Sequence, residues 1–453
     1  MLSVLLSFFF SINYGVLFDA GATQTTVHVF SWEEHTNITE IDLGENGTVS
    51  TPLHYAAYDK TLIQKILEPL LTEVKKVIPA EQIPNSDLYL FGTNGFRSLN
   101  DDEQTNLIDE VRTYLKENCD FKIEDSYIET LNQIEESIYY WISVNSILGY
   151  LGTDKQVIVA TYGGNLQFTY ATDSTDDKYK DNRFKVNYDN KTITVFTYYS
   201  TLGTSNSKNN HTQSIAKSQN TSEIISPCFN KGYSETGGIS INGSGDYNHC
   251  YQLISNYTFP ENPSKCESGY CFVSGIDIPL AAGTNEIIAT SGFAYPTEYF
   301  QLEENFSSIN DHKRSGVEIC NMSYDELISK YGQSSYAGDY CFQMAITDNF
   351  LERGIGCDPN AKSIQFITSI DNVRIDWIRG AMISRAEGTD IMPDEGMSDL
   401  QKIVGIIVGV VVAVIVIFVI VFIIMRYKHL KEQRDEDHIP LADPAQDDQP
   451  NDV

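Results

Sequence analysis

The chain has 453 residues, enough for one large two-lobed body or two to three ordinary domains. It carries 31 basic and 62 acidic residues, a formal net charge of −31. A nucleic acid polymer, which needs a basic face, is thereby excluded as a partner; small phosphorylated anions remain open where a divalent cation bridges them to carboxylates.

Residues 1–14 open on the apolar run Leu2 to Phe10 and are expected as a signal peptide. The stretch Val16 to Phe30, VLFDAGATQTTVHVF, reads as two short strands joined by a polar turn that starts at Asp19 and Gly21. A carboxylate at a strand end, followed by a glycine that lets backbone N–H groups approach an anion, suits a metal-and-phosphate site. The same spacing also makes an ordinary hairpin turn. Downstream, a helix is expected from Asp59 to Ile78, with Pro69 marking either a kink or a later start. A strand follows at Leu88–Phe91, then a turn, GTNGFRSL, then a helix from Asp101 to Glu117.

Residues 131–150 form a further helix with Ile134, Ile138, Trp141, Ile142, Asn145 and Leu148 on one stripe and Glu136 off it. The hairpin pattern then returns as VIVATYGGNLQF, Val157 to Phe168, about 140 residues after its first copy. Laid on that copy, Gly163 falls on Gly21 and Thr161 on Asp19. Two such hairpins imply two related lobes facing a cleft. From Ala171 to Ser222 the chain reads as polar strands and loops.

Eight cysteines and nine N-glycosylation sequons all precede the run Ile403–Met425, an even cysteine count and a distribution suited to an oxidising, extracellular or lumenal compartment. That run holds 23 residues without a charge, and Arg426, Lys428, Lys431 and Arg434 follow it. A type I single span with a cytosolic tail is expected. Gly405 and Gly409 are spaced to pack two spans into a homodimer.

Taken together these segments resemble the apyrase, or ecto-nucleoside triphosphate diphosphohydrolase, family. FDAGATQT is similar to its first conserved region (D-A-G-S-S-x-T) and GTNGFRSL to its second (T-A-G-M-R-L-L). EESIYYWISVNSILG resembles the third (E-E-G-x-x-x-W-x-x-x-N-x-L-L-G), TYGGNLQ the fourth (D-L-G-G-A-S-T-Q) and DWIRGAMI the fifth. The resemblance implies an α/β fold of two RNase H-like, actin-like lobes around a central cleft, joined here to one C-terminal transmembrane helix. Lobe I would span 15–132, completed by 369–398, and lobe II 133–368, with the span at 403–425 and the tail at 426–453.

The resemblance also assigns roles. Asp19 matches the aspartate through which the family holds Ca2+ or Mg2+ by way of water, Glu136 its catalytic base and Arg97 the arginine that meets charge on the terminal phosphate. Gly21, Thr23, Thr93, Gly95, Gly163, Gly164 and Gln167 would line the phosphate. Tyr295 is a candidate to stack on the base. A disulfide Cys320–Cys341 resembles a family bridge, and Cys266–Cys271 closes a short loop. Asn94 and Ser98 depart from the second region. Thr161 replaces the second metal-associated aspartate of the fourth region, and the family serine there is Leu166 without a gap or Asn165 with one residue deleted. The implied function is a membrane-anchored hydrolase of nucleoside tri- and diphosphates. The alternative is an apyrase-like ectodomain that binds nucleotide, or only keeps the fold, with catalysis impaired.

Overall fold

The apolar run and polar turn of the first hairpin give β1 (Asn13–Ala20) and β2 (Thr25–Trp32), paired antiparallel with Asp19 opposite Thr26. The computed structural model describes residues 12–33, 38–258, 271–272, 276–279, 286–302, 305–394 and 426. β1 thus takes in the last two residues of the span expected as signal peptide, whose first eleven residues lie outside the description. Two more strands, β3 (Thr39–Ile41) and β4 (Thr48–Val49), add to β2. On the other side of β1, β5 (Asp87–Gly92) and then β6 (Ile128–Thr130) pair in parallel.

Helix α1 (Thr61–Val77) buries Ile63, Ile66, Leu67, Leu70, Leu71 and Val74 against this sheet. Pro69 neither delays its start nor ends it. The residue is exposed, so the Lys65 carbonyl that loses its helical donor sits on the solvent side. GTNGFRSL, expected as a turn, instead contains the one-turn helix α2 (Asn94–Arg97). Helix α3 (Asp101–Asn118) starts on a capping box of Asn100 with Glu103 and buries Leu107, Ile108, Val111 and Leu115, the face its periodicity predicts.

Helix α4 (Gln133–Ile147) leads into β7 (Ile158–Tyr162). Its Trp141 and Asn145 have a common purpose. The indole Nε1 donates to the Val157 carbonyl at 3.1 Å, and the Asn145 amide both donates to that carbonyl and accepts from Val157 N at 2.8 Å. A buried polar residue on an apolar stripe is thereby satisfied and ties the helix to the start of the strand. The second sheet runs in the order 364–366, 287–291, β7, β8 (Leu166–Ala171), β10 (Lys191–Ser200), β9 (Arg183–Tyr188), 391–393. The strand Ile391–Pro393 lies within the span expected to complete lobe I, yet it pairs with β9 in lobe II.

Helix 377–386 packs on α4 and also reaches the first sheet. Arg379 donates to the Ile38 carbonyl at 2.7 Å, and Arg385 pairs with Glu129 of β6 at 2.8 Å. Where this helix crosses α4, a Cβ added at Gly380 would lie 1.8 Å from the Tyr139 carbonyl oxygen, so only glycine permits the approach. The two helices share a core with residues of both sheets, among them Leu17, Phe91, Val159 and Ile288. Each lobe has a further core on the outer side of its sheet.

The stretch read as polar strands and loops holds β9 and β10 but also α5 (Thr204–Gln219). This helix buries only Ser207, His211, Thr212 and Ile215, so no apolar stripe announces it. Cys320 and Cys341 are bonded, as the resemblance implied, and Cys228 pairs with Cys250. Cys119 and Cys357 are free thiols, so not every cysteine of the even count is paired. Cys266 of the expected 266–271 pair lies outside the described residues, as does Ile403–Met425; among the described residues no helix is long and apolar enough to cross a membrane.

Candidate active site

Parallel pairing of β1 with β5 brings the ends of both strands together, with Asp19 beside Phe91 and Ala20 beside Gly92. The ladder continues into the loop, where Thr93 N donates to the Ala20 carbonyl at 3.1 Å. The Thr93 hydroxyl is close enough to the Asp19 carboxylate to pull its pKa down slightly. Asp19 Oδ1 is closed off from solvent and has no hydrogen-bond partner. Burial, with help from Glu136 and Asp376 nearby, raises the Asp19 pKa to about 7 despite the opposing pull of His28.

Glu136 and Glu135 are separated by their partners. Asn132 caps α4 and turns Glu135 back on itself, its amide donating to Glu135 Oε2 at 2.8 Å. Glu136 instead pairs with Arg97, NH2 to Oε2 at 2.7 Å, with only 13% and 12% of the two side chains exposed. Burial holds the Glu136 pKa above its ordinary value, although Arg97 and a hydrogen bond from Gln167 pull it down. Arg97 also donates to the Leu131 carbonyl and to Asn94 Oδ1, so its guanidinium is aimed by three acceptors.

The second hairpin closes the site from lobe II. Thr161 pairs with Gln167 six residues on, whereas Asp19 pairs with Thr26 seven residues on. The second turn is therefore one residue shorter, which favours the deletion: Asn165 stands in the turn, and Leu166 is a buried residue of β8. Thr161 is itself buried and donates to Gln167 Oε1 at 3.2 Å. That bond leaves the Gln167 amide group to serve Glu136. Asn165 Nδ2 donates to Asn94 Oδ1 at 3.2 Å, and Gly164 lies against the Asn94 amide. Gly163 is anchored from behind by Thr204 N at 2.8 Å.

Asp19, Thr93, Gly95, Arg97 and Glu136 thus converge with Gly163, Gly164 and Gln167. Gly21 lies at the edge of this group, and Thr23 sits at the exposed tip of its turn. Tyr295 is 46% exposed at the start of a short helix after strand 287–291.

Two groups were not singled out by the sequence. His54 is buried beneath the second region, where a Cβ at Gly95 would meet its Nδ1 at 2.3 Å and burial lowers its pKa against an opposing pull from the Gly21 backbone. No local spacing marks it. Behind Asp19, His28 Nδ1 meets Glu40 Oε1 at 2.6 Å. Burial pushes His28 down, but Glu40, Asp376 and Asp19 outweigh it and hold the pKa above its ordinary value. Asp376 accepts from Arg379 N at 3.2 Å as the cap of helix 377–386, a role its place before that helix could have shown.

No cluster of three or more His, Cys, Asp or Glu that could hold a metal occurs among the described residues. The orphaned Asp19 Oδ1 nevertheless suits a hard cation of the Mg2+ type, which keeps several waters and takes one or two carboxylates along with substrate phosphates.

Two mixed lobes that turn one hairpin loop each toward a shared carboxylate and guanidinium describe the nucleoside phosphate hydrolases. The chain belongs to the GDA1/CD39 (nucleoside phosphatase) family, whose profile matches residues 10–402. It is 25% identical to nucleoside-triphosphatase ntp-1 of Caenorhabditis elegans, over 82% of this chain and 73% of that protein. Probable apyrase 3 of Arabidopsis thaliana is also 25% identical, over 82% of each chain. Ectonucleoside triphosphate diphosphohydrolase 3 of Mus musculus is 23% identical over 82% of this chain and 78% of that one. Among solved structures, nucleoside triphosphate hydrolases of Neospora caninum share the fold. The TM-score is 0.61 at 12% identity, covering 83% of this chain and 92% of that one.

Folding raises the Asp19 pKa, so the folded chain binds a proton that the unfolded chain has released. The stabilising contribution is fully present below the ordinary value of 3.8 and is lost as pH rises through about 7. Asp19→Asn cannot ionise and escapes that loss. In EDTA it should melt higher than the unsubstituted protein at pH 8 and at the same temperature at pH 4. Equal differences at both pH values would remove burial of the charge as the cause.

Proposed function

We propose that this chain removes terminal phosphates from nucleoside tri- and diphosphates by attack of a water that Glu136 aligns and deprotonates. The observation that carries this reading is the placement of Glu136. It is buried at the cleft with its pKa raised, and it faces Arg97 and Gln167 rather than its own helix cap. Arg97 would meet the charge that develops on the terminal phosphate. Backbone groups at Gly163, Gly164 and Gly95 would approach its oxygens, and Gln167 holds the Glu136 carboxylate in orientation. Asp19, with Thr93 beside it, would hold Ca2+ or Mg2+. That cation would supply neutralisation of the phosphate charge. Tyr295, exposed at the rim, is available to stack on a base.

A second reading, nucleotide binding without turnover, is favoured by Thr161, whose hydroxyl is committed to Gln167 where the family pattern has a carboxylate. Phosphate release from ATP, GTP, UDP and GDP in Ca2+, Mg2+ and EDTA separates the two. Glu136→Gln should lower release about 10²–10⁴-fold, the contribution of a general base, while Glu135→Gln changes it little. Equal losses, or none, would refute the assignment of the base. Thr161→Asp should raise the metal-dependent rate and leave the rate in EDTA unchanged; a folded variant without that gain shows that the missing carboxylate is not what limits turnover.

We further propose a type I membrane protein with its catalytic body extracellular or lumenal. The uncharged run 403–425, the basic residues after it, the nine sequons and the two disulfides support this reading. A homodimer through Gly405 and Gly409 is the accompanying proposal. N-glycosidase treatment of the protein from a eukaryotic host should lower its apparent mass; no change would place the body on the cytosolic side.

A further inference from the structure

Two residues at which this chain departs from its family's pattern touch each other across the cleft. Asn94, in place of the alanine of the second region, belongs to α2 of lobe I. Asn165, in the shortened turn of the fourth region, belongs to lobe II. Asn165 Nδ2 donates to Asn94 Oδ1 at 3.2 Å, and the same oxygen accepts from Arg97 NH2 at 2.7 Å. With its oxygen filled by two donors, the Asn94 amide can face only one way, and its nitrogen lies against Gly164. A Cβ there would be 2.2 Å from it. Departures that meet at one atom call for a common explanation.

We propose that Asn94 and Asn165 form a cross-cleft clasp that holds Arg97 in place independently of Glu136. The inference rests on the hydrolytic reading above and deepens it. Arg97 NH2 bonds to both Asn94 Oδ1 and Glu136 Oε2, the latter also at 2.7 Å. Arg97 meets only Oε2 of Glu136, which leaves Oε1 to take a proton from water as long as the guanidinium stays where it is. Without a second acceptor the guanidinium is free to move across to Oε1, and the base is occupied. Asn94 supplies that acceptor, and Asn165 fixes the Asn94 amide from the opposite lobe. NH1 remains on the Leu131 carbonyl, which holds one edge of the group but does not set its rotation toward the cleft. Arg97 Nε is buried without a partner, so no other contact of the head group replaces the clasp. Both asparagines are positioning residues: they act through Arg97 and through the spacing of the two loops.

The test uses the full chain in detergent, with Asn94→Ala, Asn165→Ala, the double variant and Asn165→Ser. Two readouts are taken together: the kinetics of phosphate release, and amide hydrogen exchange without nucleotide. Loss of a hydrogen bond to a charged group corresponds to about 10-fold or more, so each alanine variant should lower kcat on that order with KM within about twofold. The double variant should be no worse than the more impaired single one, because both remove the same bond. Asn165→Ser keeps a short donor and should recover part of the loss. In exchange, Asn94→Ala should speed the amides of 163–166 in the other lobe, and Asn165→Ala those of 94–98.

Faster exchange confined to the mutated lobe overturns the clasp. Exchange that crosses the cleft with kcat unchanged overturns the positioning of Arg97. Additive losses overturn the shared action. If the unsubstituted protein releases phosphate from none of the nucleotides, the hydrolytic reading fails, and the part played by Arg97 fails with it. The clasp between lobes then stands or falls on the exchange data alone.

Discussion

The whole arrangement depends on how closely α4 and helix 377–386 approach each other. At Gly380 the backbone of one helix meets the Tyr139 carbonyl of the other, with no room for a Cβ. Contact at this range makes the pair one thick element, and both sheets are packed on it. Its links run to both lobes. Arg379 and Arg385 tie it to Ile38 and Glu129 on one side; Trp141 and Asn145 tie it to Val157 on the other. Glu136 stands on the first turn of α4, so the geometry that joins the lobes also sets the height of the carboxylate in the cleft.

The hairpins were legible because strand, turn and strand follow from the alternation of apolar and polar residues. Asp19, Arg97 and Glu136 were legible for another reason: their neighbours resemble conserved regions. Periodicity alone placed Glu136 off the buried stripe of α4 and would have left it as a solvated glutamate. What buries it is Arg97, 39 residues earlier. Long-range partners of that kind leave no trace in local spacing, and His54 beneath Gly95 is a second case. Helix α5 escaped because its buried face is built from Ser207, His211 and Thr212. Such a face satisfies its burial by hydrogen bonding and close fit, for which hydropathy gives no signal. The length of the second turn, ambiguous in the sequence, is settled by the pairing of Thr161 with Gln167.

The departures in the second and fourth regions alter the character of the site. Where the pattern has a carboxylate and a small hydroxyl residue, this chain has a committed hydroxyl at Thr161 and an amide at Asn165. Negative charge is removed at the fourth region while Asp19 and Glu136 remain. Glu136 already helps to raise the Asp19 pKa, so a third carboxylate close by adds like-charge repulsion unless a cation sits among them. A site with fewer fixed charges relies more on directional hydrogen bonds to hold its halves together.

The body is also fastened where it ends, at residue 394. After strand 391–393, Asp394 N donates to the Arg183 carbonyl at 2.9 Å and the Asp394 carboxylate meets Lys185 at 2.9 Å, so the last residue of the body is stapled to β9. Any force that arrives along the polypeptide beyond residue 394 is delivered to an edge strand of lobe II. In a strand edge loaded this way, the ladder with β9 and the Lys185 pair share the load before any bond in the first sheet feels it. Tension from that side therefore enters the body through lobe II.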